Sequence, residues 1–167
     1  PIRAWPRHYY SQVASELIRK GYTVGIVGLA TDRELAAAIL SDCNHPACID
    51  LTGYTRSVRE LMLIFQFARL LITNDGGPGQ FAALTPIPTI IFYGPETPDL
   101  YGPVNDKATL FYNPLPCSPC LTAYNHRNSP CDGDNLCLKQ IQPQQVLKNA
   151  MQILEGGRSA AVRKTRR

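Results

Sequence analysis

The sequence predicts an α/β fold in which helices cover both faces of a parallel sheet. Short apolar runs rich in β-branched residues, typical of buried strands, alternate along the chain with longer amphipathic segments. Turn-forming residues separate the two kinds of segment. With 167 residues, of which 44% are hydrophobic and 18% charged, the chain is long enough for one domain with an apolar core.

Helices and strands alternate in the first half of the chain. Residues 6–20 place apolar side chains on one face of a helix that a glycine ends. The β-branched run at 22–29 predicts a buried strand, and a shorter run at 47–51 predicts a second one. A hydroxyl residue followed three positions later by glutamate, the spacing of a capping box, opens one helix over 31–40 and another over 57–68.

The second half continues the same pattern. Residues 70–73 form a third predicted strand, and a Gly/Pro turn leads into a short helix at 80–84. Two more strands are predicted at 89–92 and 109–112, and the last helix covers 143–154. Strands that alternate with helices in this way predict right-handed βαβ units and a Rossmann-like sheet.

The turn after the third strand, NDGGPGQFAA at residues 74–83, has the strongest features of a ligand site, because ligands of an open parallel sheet bind beyond the carboxyl ends of its strands. Glycines allow a ligand close to the backbone, and a helix N-terminus offers N–H groups to an anion such as a diphosphate. The alternative is a tight turn with Asp75 as helix N-cap and glycines at positive φ. The residues alone leave both interpretations open.

Two other segments that follow strands are weaker candidates. Asp32 could accept hydrogen bonds from a ribose, or it could simply favour the helix N-terminus by its charge. Glu96 and Thr97 could meet a sugar hydroxyl, although a plain surface turn is the favoured interpretation of their Gly/Pro-rich loop.

Four cysteines lie in a loop-like segment at residues 113–138. Their spacing can hold a structural Zn²⁺ through four thiolates. Disulfides and unbound thiols are the alternatives, and a reducing cytosol argues against disulfides. The four are Cys117, Cys120, Cys131 and Cys137.

The positive charge of the chain is concentrated at its carboxyl terminus. The sequence has 17 basic and 13 acidic residues, and five of the basic ones follow residue 157. Without these five, acidic residues slightly outnumber basic ones, so nothing indicates a nucleic-acid footprint. We therefore divide the chain into a domain over residues 1–155, which includes the cysteine-rich loop, and a basic flexible tail over 156–167. Weak attraction of this tail to anionic lipid is the alternative to a solvated terminus.

The chain has no apolar run of the length, about 18 residues, that a membrane helix needs, and no secretory signal opens it. We therefore expect a cytoplasmic protein, with peripheral contact at the inner membrane as the variant that the basic tail leaves open. Because the sequence starts without a methionine, we also expect a further region upstream.

The order of these segments resembles the carboxyl-terminal domain of glycosyltransferase family 9, the lipopolysaccharide heptosyltransferases. The family pattern N-D-[ST]-G-P-x-H-x-A-A is similar to residues 74–83, and P-x-[VI]-x-[LV]-[FY]-G-P-T-x-P is similar to PTIIFYGPETP at 88–98. CSPC at 117–120 matches C-x-P-C, and RAWP at 3–6 resembles [KR]-x-W-P. The stretch at 50–61 resembles D-L-x-G…S-L-x-E-L, so the match covers nearly the whole predicted domain.

This resemblance implies the donor-binding half of a two-domain glycosyltransferase of the GT-B type. The reaction would be inverting transfer of a sugar, above all heptose from ADP-heptose, to a lipopolysaccharide core or similar glycan, without a required cofactor. The acceptor site and catalytic base would belong to an amino-terminal domain outside this chain. The alternatives are another UDP-sugar transferase or epimerase of similar fold, or a degenerate non-catalytic nucleotide-binding module.

The resemblance also implies positions for the donor. Asp75, Gly76 and Gly77, which follow Asn74 in the motif, should face the diphosphate and the sugar. Arg3, at the family's basic position two residues before tryptophan, should neutralise phosphate charge.

Other positions follow from the same comparison. Asp32 matches the region where an acidic residue meets the ribose, and Thr55 or Arg56 lies where the base edge is expected. The chain departs from the family pattern at Gln80, which replaces a histidine, and at Gly76, which replaces Ser or Thr. A contact that can carry charge and a hydroxyl donor are thereby lost.

Overall fold

The structure is a computed structural model that describes residues 2–122, 124, 128–129, 131 and 133–164, of which residues 157–164 are described by backbone alone. The strands are β1 Val24–Ile26, β2 Cys48–Asp50, β3 Leu71–Asn74, β4 Thr89–Tyr93 and β5 Ala108–Tyr112. The helices are α1 Arg7–Arg19, α2 Arg33–Cys43, α3 Val58–Phe67, α4 Gly77–Ala82, α5 Pro98–Tyr101, α6 Leu136–Lys139 and α7 Pro143–Lys164. A 3₁₀ turn, Ala30–Asp32, precedes α2.

The strands are parallel, as predicted. β1 pairs with β2, and β4 lies between β3 and β5 in a second ladder. Among the described residues the ladder is interrupted between β1 and β3, so the predicted sheet is built in two pieces. Side chains connect the pieces, because Tyr22 and Val24 pack into the same core as Leu70 and Ile72. The guanidinium of Arg69 also lies 5.9 Å from the centre of the Tyr22 ring.

β1 is shorter than the run at residues 22–29 predicts. Gly25 lies in its centre, and Leu51 Cδ1 occupies the space next to it, 2.9 Å from the place where a Cβ would be. A glycine inside a strand weakens its pairing and permits such a close approach. Hydrogen bonding between the two segments still continues beyond the strand ends, since the Gly53 N–H donates to the Gly28 carbonyl at 2.8 Å.

Helices cover both faces of β4, which confirms the predicted layers. Ile90 and Phe92 point into the larger core, while Ile91 points the other way, towards Gly79 of α4. The larger core joins α1, β4 and α7 through Trp5, Val13, Leu17, Ile90, Phe92, Val146, Ala150 and Leu154. The smaller core consists of Phe65, Ala82 and Ile87.

Two predicted helix ends are wrong. The capping box predicted at Thr31 is not formed, because the Asp32 carboxylate accepts a hydrogen bond from the Leu29 N–H at 2.7 Å and closes the preceding turn. The last helix does not end near residue 154, since its backbone continues to Lys164. Glycine tolerates helical geometry at a cost of about 1 kcal/mol, and basic residues suit a helix C-terminus. The predicted boundary after residue 155 therefore falls inside α7.

No helix within the described ranges is both long and apolar enough to span a membrane.

Candidate functional site

Trp5 anchors the amino-terminal segment at the carboxyl ends of β3 and β4. Its side chain is 1% exposed and stacks on Phe92, with ring centres 4.4 Å apart. The indole Nε1 donates to the Ile141 carbonyl at 2.9 Å, and the Trp5 backbone N–H donates to Asn74 Oδ1 at 2.8 Å. Arg3, two residues earlier, is thereby brought to the edge of the sheet where the sequence predicts the ligand.

Arg3 forms an ion pair with Glu96. Nη2 of Arg3 lies 2.7 Å from Oε1 of Glu96, and their side chains are 36% and 4% exposed. Thr97 accepts a hydrogen bond from the Asp99 N–H at 3.3 Å and caps α5. The favoured interpretation of this loop as a plain surface turn is wrong, because it buries a carboxylate against the predicted phosphate-binding arginine.

Asp75 lies in the same part of the molecule. Its backbone N–H donates to the Phe92 carbonyl at 2.9 Å, so it continues the β3–β4 ladder. The alternative in which Asp75 is the N-cap of the next helix is wrong, because the N-cap of α4 is Gly76. Burial, followed by the negative charges of Asp75 and Glu96, raises the pKa of Tyr93 to about 12. Arg3, Asp75 and Glu96 therefore converge around the end of β4.

The glycines of this turn do not have φ angles in the left-handed region, which the alternative of a tight turn predicted. Gly76 has an extended backbone, and a Cβ there would meet nothing closer than Pro78 Cδ, at 4.0 Å. Gly77 has room for a Cβ at 3.4 Å from the Phe81 ring. Gly79 is the constrained position, because a Cβ there would lie 3.0 Å from Ile91 Cδ1. Gly79 is not among the predicted site residues, although its place early in a helix that follows a buried strand was a usable signal.

Two other predicted site residues are engaged within the fold. Besides Trp5, Asn74 Oδ1 accepts from the Tyr10 hydroxyl at 3.0 Å, and burial raises the pKa of Tyr10. Gln80 Nε2 donates to the Tyr101 carbonyl at 2.7 Å, which the Tyr93 hydroxyl also reaches at 2.8 Å. Direct contact of Asn74 and Gln80 with a ligand stays a prediction.

A cleft of about 580 Å³ lies beyond the carboxyl end of β2. It is lined by Arg33, Asp50, Thr52, Gly53, Tyr54 and Arg56. Asp50 Oδ1 accepts from the Thr52 hydroxyl at 2.6 Å and from its N–H at 2.8 Å. These bonds and the charge of Arg33 lower the pKa of Asp50.

This cleft contains one of the three residues predicted for the nucleoside. Arg56 lines it, and Asp32 and Thr55 lie in the adjoining segments without lining it. The Asp32 carboxylate is held by the Leu29 N–H, so a contact with ribose stays a prediction.

Gly53 joins the loops after β1 and β2, a role that the sequence analysis missed. Its φ is +68°, and its N–H donates to the Gly28 carbonyl at 2.8 Å. A Cβ at Gly53 would lie 3.0 Å from Ala30 Cβ, so both conformation and space favour glycine. A lone glycine three residues after the end of a strand was the available signal.

The cysteine-rich loop supports the loop that carries Glu96. The N–H groups of Cys120 and Leu121 both donate to the Pro95 carbonyl at 2.8 Å, and the Ser118 hydroxyl donates to the Gly94 carbonyl. Cys137 is buried so close to Gly94 that a Cβ there would lie 2.8 Å from its Sγ.

The same loop carries the four cysteines for which a zinc site is predicted. In the part of the chain that the structure describes, no group of three or more Cys, His, Asp or Glu side chains is arranged to hold a metal ion. No disulfide joins any of the cysteines in the same ranges. Zinc binding by the four loop cysteines therefore stays a prediction from their spacing.

Comparison with known proteins gives a consistent result. Residues 1–129 match the family model for glycosyltransferase family 9 (heptosyltransferase). Lipopolysaccharide heptosyltransferase 2 of Escherichia coli K12 is 30% identical over 159 residues, which cover 92% of this chain and 43% of that protein. The Salmonella typhimurium protein of the same name is 29% identical with the same coverage.

Solved structures agree. The structure of E. coli ADP-heptose LPS heptosyltransferase II superimposes with a TM-score of 0.79 at 27% identity, over 95% of this chain and 44% of that one. A family 9 glycosyltransferase from Veillonella parvula gives 0.74 at 26% identity, over 93% and 43%. The chain thus spans less than half the length of these relatives. Because the family model matches most of its residues, the chain belongs to glycosyltransferase family 9, the heptosyltransferases.

Proposed function

We propose that this chain binds the donor of a lipopolysaccharide heptosyltransferase, an ADP-activated heptose, and that the diphosphate lies at the carboxyl edge of β3 and β4. The observation that carries the proposal is the convergence of Arg3 and the Asp75 turn at that edge, although 72 positions of sequence separate them. Arginine offers several N–H donors in a fixed fork that suits phosphate oxygens. Backbone N–H groups of the glycine turn would add neutral donors.

The nucleoside is assigned to the cleft beyond β2. Its volume of about 580 Å³ is in the usual range for small-molecule sites. Tyr54, with a side chain 72% exposed, offers a ring for stacking on a base, and Arg56 offers donors for a base edge. Asp32 directly precedes Arg33, which lines the cleft, and it is the proposed contact for the ribose.

The proposed reaction is inverting transfer. An acceptor hydroxyl, deprotonated by a carboxylate that this chain does not supply, attacks the anomeric carbon of the donor. The bond from that carbon to the diphosphate breaks, and ADP leaves with the negative charge. Arg3 and the N–H groups of the Asp75 turn would stabilise that charge. This arrangement uses no metal ion, and the acceptor would be a lipopolysaccharide core or similar glycan.

Among the nucleotides we propose ADP, because the similar E. coli structure, at 27% identity, is that of an ADP-heptose enzyme. A UDP-sugar transferase or epimerase would share the fold and differ in base preference. A non-catalytic nucleotide-binding module is the other candidate, favoured by the engagement of Gln80 with α5 where the family pattern has histidine. Heptose transfer by the full-length protein, measured with ADP-heptose and a heptose-deficient lipopolysaccharide, distinguishes the enzyme from the non-catalytic module.

A cytoplasmic location of the protein stays a prediction.

Thermal melting of the chain with ADP, UDP and GDP tests donor binding. A ligand at 100 times its Kd stabilises the protein by about 2.7 kcal/mol, which is a measurable shift in Tm. We expect the shift with ADP. A shift with UDP or GDP alone would leave the fold assignment unchanged and identify a different donor. Melting curves that none of the three nucleotides changes would contradict donor binding by this chain.

Asp75→Ala should abolish the shift with ADP while the protein remains folded. The carboxylate lies at the end of β3 and, in this proposal, orients the turn towards the diphosphate. Asp106→Ala is the matched control, since it removes an exposed carboxylate before β5, at the opposite edge of the sheet. Isothermal titration with ADP gives the affinities, and unchanged binding in Asp75→Ala would mean that the turn is purely structural.

A further inference from the structure

We propose that Glu96 is a positioning residue for the donor diphosphate, because it fixes the Arg3 guanidinium at the site before the ligand arrives. The inference rests on the proposed function and adds a residue to its site. The family pattern has threonine at this position of G-P-T-x-P, so the pattern itself assigns Glu96 no role.

The ion pair has the geometry that such a role needs. Glu96 is 3% exposed as a residue, and its Oε1 lies 2.7 Å from Nη2 of Arg3. The Arg3 side chain is 36% exposed, so it is held from the inside while part of it faces solvent. A guanidinium has five N–H donors in a rigid plane. One bond to Glu96 therefore leaves donors on Arg3 that can point at phosphate oxygens.

Glu96 is itself held on both sides along the backbone. The carbonyl of Pro95 accepts from the N–H groups of Cys120 and Leu121, both at 2.8 Å. Thr97 caps α5 through the Asp99 N–H. The carboxylate thus projects from a fixed loop, and it can fix in turn the long side chain that contacts it.

The benefit of the ion pair is that the Arg3 side chain is ordered before the ligand binds. A long arginine side chain has many rotamers, and a ligand that must select one of them binds more weakly. The anchoring of Trp5 fixes the Arg3 backbone nearby, and Glu96 fixes the other end of the side chain. The guanidinium therefore has its direction before a diphosphate enters.

The carboxylate also has an opposing effect, which makes the inference testable. Its negative charge repels a diphosphate, and the charge of Asp75 lies close by. Glu96→Gln removes the charge but keeps an oxygen that can accept from Arg3. Glu96→Ala removes both the charge and the acceptor. Positioning predicts opposite results for these two variants, whereas simple charge repulsion predicts tighter binding for both.

The experiment is isothermal titration of the 167-residue chain with ADP, in a double-mutant cycle of Arg3→Ala and Glu96→Ala. We expect Arg3→Ala to weaken ADP binding by at least about tenfold, the size of one charge-assisted hydrogen bond. Glu96→Ala should weaken it by roughly threefold to tenfold, and Glu96→Gln should bind ADP at least as tightly as the wild type. In the Arg3→Ala background, Glu96→Ala should weaken ADP binding no further and can tighten it, because positioning acts through Arg3 and only the repulsion remains.

Two results would overturn the inference. One is ADP binding by Glu96→Ala that equals or exceeds that of the wild type. The other is an equal loss from Glu96→Ala with and without Arg3, since the carboxylate would then act independently. Glu96→Thr, which introduces the residue of the family pattern, replaces Glu96→Ala in the cycle if the alanine variant does not fold.

Failure of the proposed function has a different signature. A folded wild-type chain that shows neither a heat change nor a shift in Tm with ADP would overturn donor binding, and the role of Glu96 would fall with it. A wild type that binds ADP while the cycle is additive would overturn the role of Glu96 alone. A second cycle on the unfolding of the same four proteins, without ligand, measures the coupling of Arg3 to Glu96 independently of any nucleotide.

Discussion

Gly76 and Gly79 lie three residues apart in one turn, and of the two only Gly79 has little space for an added side chain. A Cβ at Gly79 would lie 3.0 Å from Ile91 Cδ1, in the tight contact between α4 and the sheet. At Gly76 the backbone is extended, and a Cβ would meet nothing closer than 4.0 Å. Packing therefore favours glycine at position 79, whereas at position 76, where the family pattern has Ser or Thr, a side chain has room.

A pair of substitutions tests this difference. Gly79→Ala should lower the free energy of unfolding by up to about 2 kcal/mol, because the usual cost of overpacking, about 1–3 kcal/mol, is offset in part by the gain of about 1 kcal/mol from alanine in a helix. Gly76→Ser should change it by less than about 0.5 kcal/mol, as expected for a residue with room. Urea unfolding followed by circular dichroism measures both, and equal stabilities of the two variants would contradict the contact described at Gly79.

At the scale of elements, two capping boxes of identical spacing had different outcomes. At α3 the predicted N-cap formed, with the Glu60 N–H donating to Ser57 Oγ at 3.3 Å, while the Glu60 carboxylate accepts from the Arg56 N–H at 2.6 Å. At α2 it did not, because the neighbouring Asp32 bonded the Leu29 N–H and set the helix start itself. A local pattern thus predicts that a helix is present, while its first residue depends on which neighbouring side chain competes for the N–H groups.

The order and type of the larger elements follow from local periodicity, and for that reason they were predictable. The burial of Glu96 was not, because it depends on Arg3, which is 93 positions away in the sequence. The engagement of Asn74 with Trp5, over 69 positions, was hidden for the same reason. Sequence patterns placed the candidate site at the carboxyl edge of the sheet, and the partners of its side chains were visible only in the tertiary contacts.

The cysteine-rich loop combines exposed and buried thiols, which should differ in reactivity. Cys117 is exposed, whereas Cys137 is 7% exposed and its pKa is raised, chiefly by burial. Iodoacetamide requires an accessible thiolate, so Cys117 should be alkylated much faster than Cys137. Peptide mapping by mass spectrometry over time measures the two rates, and Cys117→Ser is the control that identifies the fast site.

Comparable rates at Cys117 and Cys137 would contradict the packing of α6 against Gly94. Protection of Cys117 by added Zn²⁺ would support the zinc site predicted from the spacing.

At the scale of the whole molecule, stability should fall at alkaline pH. Tyr93 is 0% exposed, and burial, with the charges of Asp75 and Glu96, raises its pKa from 10.0 to about 12. The fold therefore favours the neutral phenol. This contribution is fully present below about pH 10 and is lost as pH rises towards 12, because the unfolded chain releases the proton first.

Urea unfolding between pH 8 and about pH 12 measures the effect. Tyr93→Phe should flatten the decline, and Tyr124→Phe, which changes a tyrosine that is 98% exposed, should leave it unchanged. Some decline should persist in both variants, since burial also raises the pKa of Tyr10. A Tyr93→Phe profile that follows the wild type throughout would contradict this account.

The seating of Trp5 against Ile141 has a consequence for how the chain folds. This one hydrogen bond closes a loop of 136 positions, and contacts of such long sequence separation form late. Trp5 also contacts Asn74 and Phe92, so a chain that ends before Ile141 lacks one of the three contacts that hold Trp5, and with it Arg3, in place. We therefore expect anion binding at this edge to appear among the last events of folding. Such binding would distinguish fully folded molecules from partly folded ones.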